Sequence, residues 1–144
     1  MNRFAYFDRT EFPIIRIKFN ETINNVKEYY QFERDWLSSY MENKEFVFLF
    51  DTTNVGYVNP LYAYNLSNFI YKIKNELKSK LLKYSIIKVS NWYVKHLLNI
   101  TFLIQSPVAP VYLVEENIDM NNLYEDIENK KIIKDENIFF INND

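Results

Sequence analysis

Three residue types that build many catalytic and cofactor sites are scarce in this chain. It contains no cysteine, which excludes disulfides, thiolate metal sites and a cysteine nucleophile. It contains one histidine, so a histidine-cluster metal site cannot form. Its single glycine excludes the glycine-rich loops that cradle phosphates, because those motifs need more than one glycine. We therefore predict no catalytic residue, no metal site and no cofactor.

The residues that are present are typical of one globular domain. The 144 residues are 48% hydrophobic and 25% charged, and the formal net charge is −2. A chain of this length can bury a substantial core, and a charge so close to zero gives no reason to expect a nucleic-acid partner. The opening residues lack the pattern of a secretion signal, and polar residues and prolines interrupt the uncharged run 97–114. We expect an intracellular, cytoplasmic protein that is neither secreted nor transmembrane.

Hydrophobic periodicity predicts strands that alternate with helices. Apolar runs and period-two alternation predict strands at residues 4–7, 14–19, 46–50, 84–90 and 108–114. Helical spacing and capping residues predict helices at residues 22–43, 60–81, 92–104 and 119–129. This order predicts an α/β fold, a single domain over residues 1–144 with a mixed, mostly parallel sheet of about five strands and about four helices.

Two segments carry unusual apolar patterns. The first predicted helix has an aromatic stripe that we expect to pack on the sheet. Its members are Tyr29, Phe32, Trp36 and Tyr40, widened by Val26, Tyr30, Leu37 and Met41. Residues 130–144 are either an added strand or a docking tail. We expect the apolar segment 138–141 to be buried in the working form, against a sheet edge of the same chain or of a second copy.

Five segments of the chain resemble one family of domains. They are Phe46–Asp51, 52–59, 85–91, 94–98 and 106–113. In order and composition they resemble the STAS domain, the fold of bacterial anti-sigma-factor antagonists, and its relative the CRAL-TRIO domain. They are also similar to uncharacterised small proteins of AT-rich large DNA viruses, which would place a viral protein in the host cytoplasm or the virion. The resemblance implies a STAS-like binding or regulatory module.

The chain departs from both families at functional positions. The anti-sigma-factor antagonists carry a phosphorylatable serine just before their second helix. Here the matching residues are Val58-Asn59-Pro60-Leu61, which include no hydroxyl, so the phosphorylation switch is not carried over. The lipid-transfer members of the CRAL-TRIO group are longer and close their cavity with a gating helix, for which this chain has little sequence left.

Polar and aromatic side chains follow the ends of two buried strands. In open α/β sheets, ligands bind in the crevice outside the carboxyl ends of the strands. The predicted binding residues, here called the rim, are Thr52, Thr53, Asn54, Asn59, Asn91 and Trp92.

Two further residues could carry chemistry but lack evident partners. Asp51 ends a buried strand, where a carboxylate usually accepts hydrogen bonds from the following loop, and we predict that structural role. His96 would need a serine and an aspartate to converge on it in a hydrolase triad, and the sequence places neither. We therefore predict a protein that is not an enzyme, with an unrecognised hydrolase as the remaining alternative.

Charge is distributed unevenly along the chain. Residues 60–96 contain seven lysines against one acidic residue, whereas residues 115–144 contain nine acidic residues against three lysines. A basic helix face would suit a lipid or membrane surface, but lysine without arginine is a weak signal for nucleic acid. We expect the two regions to neutralise one another.

These observations lead to two hypotheses of function. The first is a non-enzymatic binding or regulatory module that acts through protein–protein contacts, with a protein partner or as a homodimer. The alternative is a small apolar-ligand or lipid-associated module of the CRAL-TRIO type. A solid interior between helices and sheet favours the first hypothesis, and a hollow interior favours the second.

Overall fold

The computed structural model describes residues 3–144, which contain six strands, four α-helices and one 3-10 helix. The strands are β1 Ala5–Asp8, β2 Ile14–Phe19, β3 Phe46–Asp51, β4 Leu82–Val89, β5 Val111–Glu115 and β6 Ile138–Ile141. The helices are α1 Val26–Ser38, α2 Leu61–Lys74, α3 Trp92–Ile104 and α4 Met120–Glu128, and the 3-10 helix is Leu77–Leu81. Met1 and Asn2, which the predicted domain includes, lie outside the described residues.

The six strands form one mixed sheet in chain order, from β1 to β6. Strands β2 to β5 are parallel, and β1 and β6 are antiparallel to their neighbours at the two edges. Helices α1, α2 and α3 cover one face of the sheet and α4 covers part of the other. The predicted α/β class with a mostly parallel sheet is confirmed, and the strand count is six because residues 138–141 pair with β5.

Strand β3 lies at the centre of the core and is buried on both faces. Phe46, Phe48 and Phe50 point to the three-helix face, and Val47 and Leu49 point to the α4 face. Such a strand reads as a continuous apolar run because neither face meets water. The prediction of a buried strand at 46–50 is therefore confirmed.

Trp36 joins α1 to β3 and α2. Its ring centroid lies 5.1 Å from that of Phe48 and 5.5 Å from that of Phe69. Its indole N–H donates a hydrogen bond to the Tyr40 hydroxyl over 3.0 Å, so the one polar atom of the indole is satisfied inside the core. This aromatic cluster fixes two helices on one strand.

Helix α1 is shorter at both ends than the predicted helix 22–43. Asn25 caps it, since its Oδ1 accepts a hydrogen bond from the backbone N–H of Glu28 over 3.2 Å. Thr22, the predicted cap, instead donates its hydroxyl to a loop carbonyl. At the other end Asn43 has φ 54°, a left-handed conformation that asparagine tolerates and a helix does not continue through.

The aromatic stripe of α1 is narrower than predicted. The four aromatic residues are buried, as expected, whereas the widening residues are 46–74% exposed: Val26, Tyr30, Leu37 and Met41. A helix on a flat sheet covers one narrow face, so the flanking positions face solvent.

Helix α2 also ends earlier than predicted. It ends at Lys74, and Asn75 donates its side-chain amide to the carbonyl of Tyr71 over 3.3 Å. Leu77 follows in the 3-10 helix and is 85% exposed. The apolar period in the sequence therefore continues beyond the helix that it marks.

A single chain does not bury all of segment 138–141, so its expected burial within the same chain is met only in part. Strand β6 pairs with β5, and Ile138 and Ile141 are half-buried. Phe139 remains 59% exposed and Phe140 51% exposed. No strand of the described residues lies beyond β6. Its side chains therefore have a neighbouring strand on the β5 side but not on the outer side.

Ion pairs join the basic and acidic regions. The Lys83 ammonium lies 3.1 Å from the Glu128 carboxylate, and that of Lys95 lies 2.9 Å from the Glu115 carboxylate. Partly exposed pairs of this kind contribute little stability, but they do place opposite charges together as the charge pattern predicts. Within residues 3–144 no helix is long and apolar enough to cross a membrane.

We predict that Phe48→Ala lowers the free energy of unfolding by about 3–5 kcal/mol, because it opens a cavity at a fully buried ring. The control Leu77→Ala removes an exposed side chain and should change it by less than about 0.5 kcal/mol. Urea denaturation followed by circular dichroism measures both values. Equal losses for the two variants would contradict the assignment of Phe48 to the core.

Candidate functional site

A cavity of about 140 Å³ lies between the helix layer and the sheet. Nearly all the side chains around it are apolar, and all three helices of the layer and the central strands contribute to it. Representative wall residues are Phe32, Trp36, Ala63, Ile87, Leu98 and Val111. Protein interiors contain few voids larger than a water molecule, so this hollow distinguishes the molecule from a fully packed α/β domain.

The cavity forms because bulky and small side chains are unevenly placed. The aromatic cluster around Trp36 fills the α1 side of the interior. Facing it are the small side chains of Ala63, Ser85 and Ala109, all buried and all in the cavity wall. Small side chains opposite large rings leave space that the rigid helix and strand backbones cannot close.

Tyr29 contributes its ring to the wall, but its hydroxyl does not open into the cavity. The hydroxyl exposes almost no surface and has the Glu33 carboxylate nearby as an acceptor. Burial raises the pKa of this phenol well above its usual value, and the Glu33 carboxylate raises it further. The group is therefore a neutral donor beside a carboxylate.

The predicted rim residues lie at the carboxyl edge of the sheet, above the cavity. Asn91 holds two elements together there. Its Oδ1 accepts hydrogen bonds from the N–H groups of Tyr93 and Val94, over 2.8 and 3.2 Å, which caps α3. Its side-chain amide donates to the carbonyl of Val55 over 3.2 Å. Asn91 thus ties the loop 52–60 to the start of α3.

The two threonines of the rim differ in position and in hydrogen-bond partners. Thr52 is buried in the cavity wall and donates its hydroxyl to the carbonyl of Lys88 over 2.6 Å. Thr53 donates both its N–H and its hydroxyl to one carboxylate oxygen of Asp51, over 3.0 and 2.6 Å. The loop-holding role predicted for Asp51 is therefore seen in the structure.

The remaining three rim residues do not line the cavity. Asn59 accepts a hydrogen bond from the N–H of Leu61 over 3.0 Å, in the turn just before α2, whose N-cap residue is Pro60. Asn54 is exposed, and Trp92 is 78% exposed at the start of α3. The rim residues thus lie at one edge of the sheet, but among them only Thr52 lines the cavity.

The site predicted from the sequence omits most of the residues that line the cavity. Periodicity marks Phe32, Ile70 and Val94 as interior positions, but it does not show whether the interior is filled. A usable signal was present in α2, where Ala63 and Ser67 follow one another at helical spacing on the buried face. Small residues at such positions indicate either a close helix contact or a void.

His96 lies on the exposed side of α3. Its ring centroid is 6.5 Å from that of Trp92, and no hydroxyl or carboxylate of the described residues forms a hydrogen bond with it. In the part of the chain that the structure describes, no three histidine, aspartate or glutamate residues group as metal ligands would.

Comparisons of the chain with models of protein families, with curated proteins and with solved structures find no match. The resemblance to STAS and CRAL-TRIO domains therefore stays a prediction based on segment order and composition. Function has to be argued from the cavity and from the surface of this chain.

We predict that Asn91→Ala lowers the free energy of unfolding by about 1–2 kcal/mol, because it removes a helix cap and a loop anchor. It should also speed amide hydrogen exchange in residues 52–60. The control Asn54→Ala, in the same loop but exposed, should leave both quantities within error. If exchange in the loop were unchanged in Asn91→Ala, the loop would be held by other contacts.

Proposed function

We propose that this protein binds a small apolar molecule in the cavity between its helix layer and its sheet. The observation that carries the proposal is the apolar hollow of about 140 Å³. An empty apolar cavity costs stability, and an apolar ligand recovers the lost contacts. Binding alone, without catalysis, is the activity that such a wall supports.

The volume sets the size of the ligand. An engineered cavity of about 150 Å³ in another protein stays dry and binds benzene, whereas pockets for drug-sized ligands have about 300–1,000 Å³. The cavity here therefore suits a single ring, a short branched hydrocarbon or the end of a longer chain. A whole lipid does not fit within it.

The wall sets the polarity of the ligand. Its lining is almost entirely apolar, and the Tyr29 hydroxyl has the Glu33 carboxylate beside it. Such a site favours a hydrocarbon over a molecule with several polar groups.

The carboxyl edge of the sheet is the natural entrance. Ile23, Val58 and Tyr62 line the cavity at this edge and are only half-buried. The loop 52–60 crosses the same edge and is held by side-chain hydrogen bonds rather than by strand pairing. Brief opening of this loop would admit a ligand without unfolding the sheet.

We predict that benzene stabilises the protein and that Ala63→Leu, which fills the cavity, abolishes the effect. A ligand that binds only the folded state contributes about 1.4 kcal/mol at ten times its dissociation constant, a rise in melting temperature of about 5 °C. Differential scanning calorimetry with and without benzene measures this rise. The control Asn68→Leu introduces the same side chain on the exposed face of α2 and should keep the response.

Two further measurements complete the test. Benzene should bind at least as tightly as benzonitrile, because the nearly apolar wall offers little to the nitrile group. Leu66→Ala, which enlarges the cavity, should admit a bicyclic ring such as naphthalene. If the wild-type protein shows no shift with any of these ligands, the proposed function is refuted.

A second candidate function, a module that acts through protein contacts, is favoured by a different observation. Phe139 and Phe140 are both more than half exposed on the edge strand β6. Adjacent exposed aromatics on an unpaired edge are characteristic of interaction surfaces.

A further inference from the structure

The two edges of the sheet differ in how they are protected. Edge strands expose unpaired backbone groups, and proteins usually protect them with charged residues, proline or bulges. Strand β1 ends in Asp8, and Arg9 follows it. Strand β6 reads Ile-Phe-Phe-Ile, and neither a charge nor a proline occurs between Asn137 and Asn143.

The register shows which backbone groups of β6 are free to pair. Leu113 lies opposite Phe139 and Val111 lies opposite Ile141, and the N–H of Glu115 donates to the carbonyl of Asn137 over 3.0 Å. In an antiparallel ladder such bonds fall on alternate residues. Residues 137, 139 and 141 therefore direct their backbone groups to β5, and residues 138, 140 and 142 direct theirs outward.

One of these outward groups is already used. The N–H of Ile138 donates to the carbonyl of Asp135 over 3.1 Å. Phe140 is thus the position within β6 whose N–H and carbonyl both face outward without a partner among the described residues. An incoming strand would form its first pair of hydrogen bonds there.

We propose that β6 pairs with β6 of a second copy of this chain, antiparallel, about a two-fold axis that passes beside Phe140. A two-fold axis perpendicular to the sheet keeps each face on its own side and makes the strand its own complement. In this register the two Phe140 residues exchange N–H to carbonyl hydrogen bonds. Phe139 of each copy lies opposite Ile141 of the other on the three-helix face.

This pairing covers the apolar side chains that the single chain leaves in water. The Phe140 rings meet on the α4 face, where each already packs on Tyr112 with centroids 5.1 Å apart. Phe139 meets an isoleucine on the opposite face. In this dimer the β6 edges of both copies are paired with one another. The assembly therefore stops at two copies instead of continuing into a fibre.

A second copy fits this edge because its free backbone groups and exposed rings are centred on one residue, Phe140, so a two-fold axis matches each group to the same group of the other copy. The acidic flanks weaken this pairing, since the register places Glu136 of each copy opposite Asp144 of the other. Because the paired segment is short, we expect a reversible dimer whose population rises with protein concentration.

The first test is sedimentation velocity of the full chain over a range of concentrations, with the variants Phe140→Pro and Phe140→Ala. Proline removes the outward N–H of residue 140 and leaves the hydrogen bonds to β5 in place. It should weaken the dimer about tenfold or more, whereas alanine, which keeps the N–H, should weaken it less. The control Tyr6→Lys alters an exposed aromatic on the opposite edge and should have no effect.

The second test separates edge pairing from dimers formed through another surface and does not depend on a variant that folds. In the dilute protein, the amides of Phe139 and Ile141 should be protected from exchange with solvent by β5, and that of Phe140 should exchange fast. At high concentration the Phe140 amide should become protected as the dimer forms. A protein that stays monomeric at all concentrations, or a dimer that leaves the Phe140 amide fast, overturns the proposal.

Discussion

The packing of Trp36 is the contact on which the rest of the interior depends. Its ring lies between Phe48 of the central strand and Phe69 of α2, and its N–H is satisfied by Tyr40. These large rings, in edge-to-face contact, fill the space between helix and sheet. The aromatic cluster therefore sets the distance between the sheet and the helix layer at α1 and at the adjoining side of α2.

The cavity follows from this distance between the helix layer and the sheet. Further along the same layer the facing side chains are small, among them Ala63 and Ala109, while α2 and α3 are joined through Ser67, whose hydroxyl lies 3.3 Å from the carbonyl of Thr101. The two helices thus form one layer with α1, and α2 packs on the rings beside Trp36 through Phe69. A cavity is thus built into the packing, and a ligand would fill space that the chain itself cannot close.

The sequence predicted the order and type of the elements better than their ends. Strand β3 was evident because five apolar residues in succession, bounded by charges, are typical of a strand buried on both faces. The end of α2 was not, because Leu77 continues the apolar period although it faces solvent. Topology predicted that the rim residues meet at the carboxyl edge of the sheet. The cavity beneath them depends on the summed volumes of side chains that are distant in sequence, and periodicity carries no information on volume.

The exposure of Phe139 and Phe140 is a consequence of topology rather than of composition. A strand at the end of a sheet has a neighbour on one side, and successive side chains point to opposite faces. In a sheet with chain-order topology, α3 and α4 lie over inner strands, so neither helix reaches beyond the last strand to cover its outer half. Four apolar residues in succession then cannot all be buried by their own chain, whatever their rotamers. Only another strand, continuing the sheet past β6, places neighbours on both faces at once.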